Sequence, residues 1–189
     1  MKKMMPPKRV MESRNLQLRR TVFDDCTLFA EWEARTDVNE FFTMDDDRDY
    51  EEIITEFINY SQDPTRELFT IILKSEDRPI GRIVLTRINR EEDSMDLTRI
   101  YIADKSLRNQ GYGEEAIRMI LEYAFINLHM ERVTIDHFSA NEAARHLYHK
   151  IGFRDEGIMR HSGKKNGKYY DLCQMSMLRS EYYDKVHSR

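Results

Sequence analysis

Cysteine is nearly missing from this 189-residue chain: Cys26 and Cys173 stand far apart, and there is no CxxC or Cys/His cluster. A disulfide-dense scaffold and a zinc site therefore lose their basis. A Cys26–Cys173 bridge is unneeded at this length, and two free thiols fit a reducing cytosol. Seven glycines and four prolines are too few for a collagen-like or low-complexity chain. No apolar run approaches the ~18 residues of a membrane span, which excludes an integral membrane protein. Charge of one sign is also lacking, since 30 Lys and Arg oppose 34 Asp and Glu for a net −4. That balance argues against a protein that coats nucleic acid. Pro6 and Pro7 break up the basic N-terminal residues Lys2, Lys3, Lys8 and Arg9, and no apolar segment comes after them. Residues 1–14 read as a flexible basic leader, not a signal peptide. What is present is a folding composition, 40% apolar with 11% aromatic. It predicts a single cytoplasmic domain over residues 15–189.

Periodicity sketches a mixed α/β order. A strand is expected at Leu16 to Phe23, then a helix from Asp24 and Asp25 through Leu28, Phe29 and Trp32. An acidic stretch comes next, and helical spacing resumes from Tyr50 to Tyr60. Strands are read at Leu68 to Lys74 and Ile80 to Ile88, joined by Glu76-Asp77-Arg78-Pro79, and again at Ser94 to Ile102. Residues 114–128 present Ile117, Ile120, Leu121, Ala124, Phe125 and Leu128 on one helical face. Arg132 to Phe138 is a strand, and Asn141 caps a short helix that Gly152 ends. Two last strands flank the turn 163–167. The fold class is α/β, with an antiparallel first half and a β-α-β-α-β second half.

The chemistry concentrates in two segments. Arg108-Asn109-Gln110-Gly111-Tyr112-Gly113 links a strand to an amphipathic helix. Glycine lets backbone approach a ligand, and the unpaired first amides of a helix, with its dipole, suit a phosphate. Neither familiar phosphate loop is present: there is no GxxxxGK[ST], and Ala116 stands where GxGxxG needs its third glycine. A plain strand-to-helix turn is the competing reading. The second segment is Asn141 to Phe153, one helix and one strand later.

Together the two segments resemble the GNAT N-acetyltransferases. Arg108, Gly111 and Gly113 match that family's R/Q-x-x-G-x-G/A loop. Asn141, Ala144, Leu147, Tyr148, Gly152 and Phe153 match its N-x-x-A-x-x-L-Y-x-x-x-G-F stretch. The N-terminal LxLR strand and the late hairpin look most like the branch of ribosomal-protein N-terminal and spermidine acetyltransferases. The resemblance implies a mixed, mostly antiparallel sheet with two splayed parallel strands and flanking helices. It implies acetyl-CoA as co-substrate, with pantetheine along Ile100, Tyr101 and Ile102. Pyrophosphate would sit on the amides of Arg108, Asn109, Gln110, Gly111, Tyr112, Gly113 and Glu114, and Asn141 and Ala144 beside the pantetheine arm. An amine attacks the thioester directly, and Tyr148 protonates the leaving thiolate. A phenol, with a pKa near ~10, is chemically suited to that. As an alternative to catalysis, Tyr148 is a core aromatic on the face of Ala144, Leu147 and Ile151.

Other signals are weaker. His146 and His149 lack a third ligand, so no metal site is expected. Lys164, Lys165 and Lys168 read as a solvated hairpin tip, with phosphate or nucleic-acid contact as the rival. Glu31, Glu33, Asp96 and Asp136 all remain open as general base, as does a water chain. Residues 45–56 carry Asp45, Asp46, Asp47, Asp49, Glu51, Glu52 and Glu56 against Arg48, a field that would attract a cationic acceptor. A solvated acidic loop is the simpler account. The expected activity is acetyl transfer to a primary amine, polyamine-like or a protein N-terminus, without nucleic acid or membrane as partner. A homo-oligomer is compatible with it. The rival is a CoA-binding regulatory domain without catalysis.

Overall fold

The computed structural model describes residues 9–46 and 48–187. Residues 1–8 of the expected leader, and Asp47 of the acidic stretch, lie outside the described residues. Within the segment expected to be a flexible leader, Arg9–Glu12 forms strand β1 on β2 (Leu16–Arg20). Met11 packs against the main core, which gives that edge strand a reason to pair. Next come α1 (Asp25–Glu33), α2 (Thr36–Asn39) and α3 (Tyr50–Gln62), then β3 (Glu67–Leu73), β4 (Arg78–Asn89) and β5 (Ser94–Ile102). The second half holds α4 (Tyr112–Glu122), β6 (Arg132–Phe138), α5 (Glu142–Ile151), β7 (Arg154–Lys165), β8 (Lys168–Leu178) and α6 (Arg179–His187). Helix α6 has no counterpart in the sequence pattern, since its apolar positions form no clear face. The helix expected over 114–128 loosens after Glu122 into a five-residue π turn.

Among the described residues eight strands join one sheet, ordered β1-β2-β3-β4-β5-β6-β8-β7. Every neighbouring pair is antiparallel except β5 with β6. Strand β3 is apolar almost throughout and buried from Leu68 to Leu73, as a strand covered on both faces must be. One face packs on α4 through Ala116, Ile117, Ile120 and Leu121; the other meets Phe29 of α1 and its Cys26–Ile53 neighbours.

The decisive feature is how little of β5 and β6 touch. They pair only at Ser94–Arg132, Met95–Val133 and Asp96–Thr134. Beyond that, β5 stays with β4 as far as Ile102, and β6 stays with β8 as far as Phe138. A bulge starts the divergence: Val84 faces Arg99 while the next residue, Leu85, faces Leu97, so Thr98 is extra. An extra residue bends its strand and raises its twist. Gly81 keeps β4 close on the other side, since any Cβ there would run into the Tyr101 carbonyl.

Candidate active site

The splayed strands open a cavity of about 680 Å³ bounded by α2, β5, the 108–114 loop, β6 and α5. Of the residues expected to hold the co-substrate, Ile100, Tyr101, Ile102, Arg108, Asn109, Gly111, Gly113, Glu114, Asn141 and Ala144 line it, and so does Tyr148. Gln110 and Tyr112 do not. Gln110 is exposed and donates to the Ser106 carbonyl, while Tyr112 packs towards the core.

The Ala103 amide donates to Ile80 of β4. Strand alternation then turns the backbone of Ile102 and Ile100 to the open edge. The Tyr101 side chain points elsewhere: its hydroxyl donates to Glu33, 2.9 Å away. Arg108 is a brace. Its guanidinium bonds the Ile102 and Ala103 carbonyls and the Asp37 carbonyl and carboxylate, and its amide donates to Lys105. That amide is therefore not available to a phosphate, contrary to expectation. Hydrogen bonds from Arg35 and Arg108 hold the Asp37 carboxyl at about 2.

Immediately after Arg108 the backbone forms a nest. Asn109 and Gly111 both take left-handed backbone, at φ 61° and 87°. Alternating backbone hand turns successive amides to one side. Tyr112, Gly113 and Glu114 begin α4, and first-turn amides have no partner within their helix. A carboxylate, Glu114, stands beside this anion-ready turn, but Arg118 and Lys150 pair with it.

Tyr148 rises from α5 with its ring about 6.0 Å from those of His137 and Phe153. Burial, reinforced by the Asp136 charge, pushes its phenol well above the ordinary value. It therefore keeps its proton at any physiological pH. Asn141 caps α5 by accepting from the Ala144 amide, which commits its oxygen and leaves its NH2 group to any ligand contact.

Two residues of β6 emerge that the sequence did not single out as a pair. His137 is buried, and its Nδ1 faces the Phe138 carbonyl at 2.8 Å. A carbonyl only accepts, so in the neutral ring Nδ1 carries the proton and Nε2 is the acceptor. That Nε2 has no partner among the described residues. No spacing rule could have found it, because its neighbour Tyr148 arrives from a different element. Asp136 lines the cavity, and burial, then the charge of Asp96, raises its carboxyl.

The other base candidates lie in different surroundings. Glu31 is exposed on α1. Asp96 is paired with Arg87 and Thr134. Glu33 belongs to a buried ion cluster with Arg82, Arg99, Arg48 and Glu56. The acidic stretch is also largely committed to structure. Asp49 and Glu52 form a capping box on α3, and Glu56 joins the cluster. Asp45 and Asp46 bind the hairpin tip through Asn166 and Lys165. Lys165 is buried, donating to the Asn39 carbonyl, so the tip is not the freely solvated lysine turn the sequence suggested. His146 and His149 bond the Glu142 carbonyl and Asp155, and no metal-holding cluster exists among the described residues. No helix among them is long and apolar enough to cross a membrane.

Residues 15–154 match the acetyltransferase (GNAT) domain family. An uncharacterized N-acetyltransferase of Bacillus licheniformis, p20, is 22% identical over 90% of this chain and 96% of its own. The spermidine N(1)-acetyltransferase of Vibrio cholerae is 28% identical over 61% of this chain and 65% of its own. A crystal structure of a Vibrio cholerae spermidine N-acetyltransferase with CoA and spermine superposes with a TM-score of 0.81. It covers 89% of this chain and 98% of that one at 22% identity.

Proposed function

We propose, from the premise that the chain belongs to the GNAT acetyltransferase family, that its splayed β5–β6 gap is the acyl-transfer site and that the acceptor is a cationic aliphatic amine of the polyamine class. The protein is an N-acetyltransferase that uses acetyl-CoA. The gap itself carries the assignment of the site. Three paired positions and then divergence leave the edges of β5 and β6 without strand partners, and an extended pantetheine can bond to them as a further strand would. The amides of Asn109 to Glu114 would hold the pyrophosphate, and the Asn141 NH2 and Ala144 would flank the arm. Tyr148 would return a proton to sulfur as the amine displaces it. The cytoplasm is the proposed location, a reading that the two free cysteines support.

Replacing Gly111 by Val tests the phosphate position. A side chain there meets no atom within 4 Å, so the fold should survive, while left-handed backbone disfavours a β-branched residue by about 1–2 kcal/mol. Calorimetry should show CoA affinity reduced by roughly tenfold or more, with an unshifted circular dichroism spectrum. Undiminished affinity would move the phosphates elsewhere.

The acceptor class rests on the cavity carboxylates Glu40 and Asp136 and on the spermidine-acetylating relative. An amine panel read by free-thiol release should rank spermidine and diamines above neutral amines and peptides with free N-termini. Replacing the exposed Glu40 by Gln should raise KM for spermidine about twofold to fivefold, most at low salt, and leave the acetyl-CoA KM in place. A peptide N-terminus outperforming spermidine would change the acceptor and not the chemistry.

A further inference from the structure

We infer that Asp136 is the residue that takes the proton from the acceptor nitrogen during acetyl transfer. This rests on the acyl-transfer site proposed above. Asp136 stands two residues beyond Thr134, the last β6 residue paired with β5, so its carboxylate lies where the strands have parted. Alternation along β6 puts Val133 and Ile135 into the core shared with α4, and turns Asp136 and Phe138 to the opposite side. There Phe138 meets Phe41 from the segment after α2. Tyr148 comes from the α4 side. A thioester held in the gap would thus have a proton donor on one face and a proton acceptor on the other.

Asp136 is also available. The cavity carboxylates Asp37 and Glu114 are bound by arginine or lysine, and Glu40 is exposed. Asp136 is half-buried and has no hydrogen-bond or ion-pair partner among the described residues. A half-buried carboxylate without a partner is an uncomfortable anion, and its comfort improves on gaining a proton. The groups that face it are Asp96 on β5, Arg87 on β4, His137 on its own strand and Tyr148 on α5, with uncharged Gln174 opposite on β8. Asp96 raises its carboxyl, and Arg87 and His137 temper that.

The proton balance closes. The acceptor arrives as an ammonium and gives one proton to solvent on becoming a free amine. As its nitrogen forms the N–C bond, the C–S bond breaks and the electron pair leaves with sulfur. Asp136 takes the second nitrogen proton, and the sulfur takes the Tyr148 phenolic proton. Passing the Asp136 proton to the Tyr148 oxygen through water, once the products have left the gap between them, restores both groups. The two steps reinforce each other. The negative charge of Asp136 helps to keep the phenol protonated, so its neutralisation makes Tyr148 a stronger acid as the thiolate departs.

The test is Asp136→Asn, with Asp136→Glu beside it, in the full chain with acetyl-CoA and spermidine. Turnover at saturating acceptor should fall about 10²-fold, and the acid limb of the kcat–pH profile should disappear. The CoA Kd and melting temperature should stay near wild type, and Asp136→Glu should recover part of the rate and the limb. Unchanged kcat with the acid limb intact would overturn the assignment while leaving the acetyltransferase site standing. Loss of CoA binding and thermal stability in both variants would assign Asp136 a structural role and overturn it too. A wild-type protein that acetylates no amine would remove the parent reading and this one with it.

Discussion

Turnover should fall about 10²-fold when Tyr148 is replaced by Phe, while acetyl-CoA binds as before. The substitution removes one hydroxyl and keeps the ring that packs against His137 and Phe153. General acid catalysis contributes at least this much when the group is well placed. A fall in kcat with an unchanged co-substrate Kd would identify a group that acts after binding. Burial keeps the Tyr148 proton in place well above neutrality, so the wild-type rate should show no alkaline loss from this residue below about pH 10, the ordinary phenol value. Equal turnover in Tyr148→Phe would make it a packing residue, with thiolate leaving unaided or through water.

Replacing Glu33 by Gln should destabilise the fold by about 3–5 kcal/mol, the range expected when one partner of a buried ion pair is lost. Glu33 is 1% exposed and accepts from Arg82, Arg48, Arg99 and the Tyr101 hydroxyl. Arg82 is fully buried, stacks on Phe29, and also binds Glu56 at 2.6 Å. Without the Glu33 charge, three guanidiniums would share one carboxylate in a largely buried site. Urea unfolding should report the loss as a lower midpoint with an unchanged slope. A change below about 1 kcal/mol would mean that water or movement rescues the cluster. The same cluster sets an acid limit. Burial alone would raise the Glu56 carboxyl, but Arg99, Arg82 and Arg48 outweigh it and hold it at about 2. A lowered carboxyl stabilises the fold above its unfolded value near 4.5. That contribution, about 3 kcal/mol, should drain away as pH falls from about 4.5 towards about 2.

The amino-acid sequence by itself determined the parts of this protein whose physics is local. Gly111 and Gly113 ahead of an amphipathic run specify a strand-to-helix turn rich in free amides, and the structure places that turn at the cavity mouth. Asn141 caps α5 and Gly152 ends it, as residues within about four positions of their partners can dictate. The order and spacing of those two segments were enough for the family. Tertiary structure decided everything that depends on residues far apart in the chain. Arg108 reads as a phosphate ligand in its motif, yet Asp37, 71 residues away, makes it a brace. The acidic stretch reads as a solvated loop or a steering field, yet capping and ion pairs to α1, β4, β5 and the β7–β8 tip absorb most of it. Glu33, Asp96 and Asp136 were equivalent carboxylates in one dimension. Folding buried the first among arginines, paired the second with Arg87, and left the third alone beside Tyr148. A carboxylate's role depends on which charges surround it, and no local spacing encodes that when each neighbour comes from a different strand or helix.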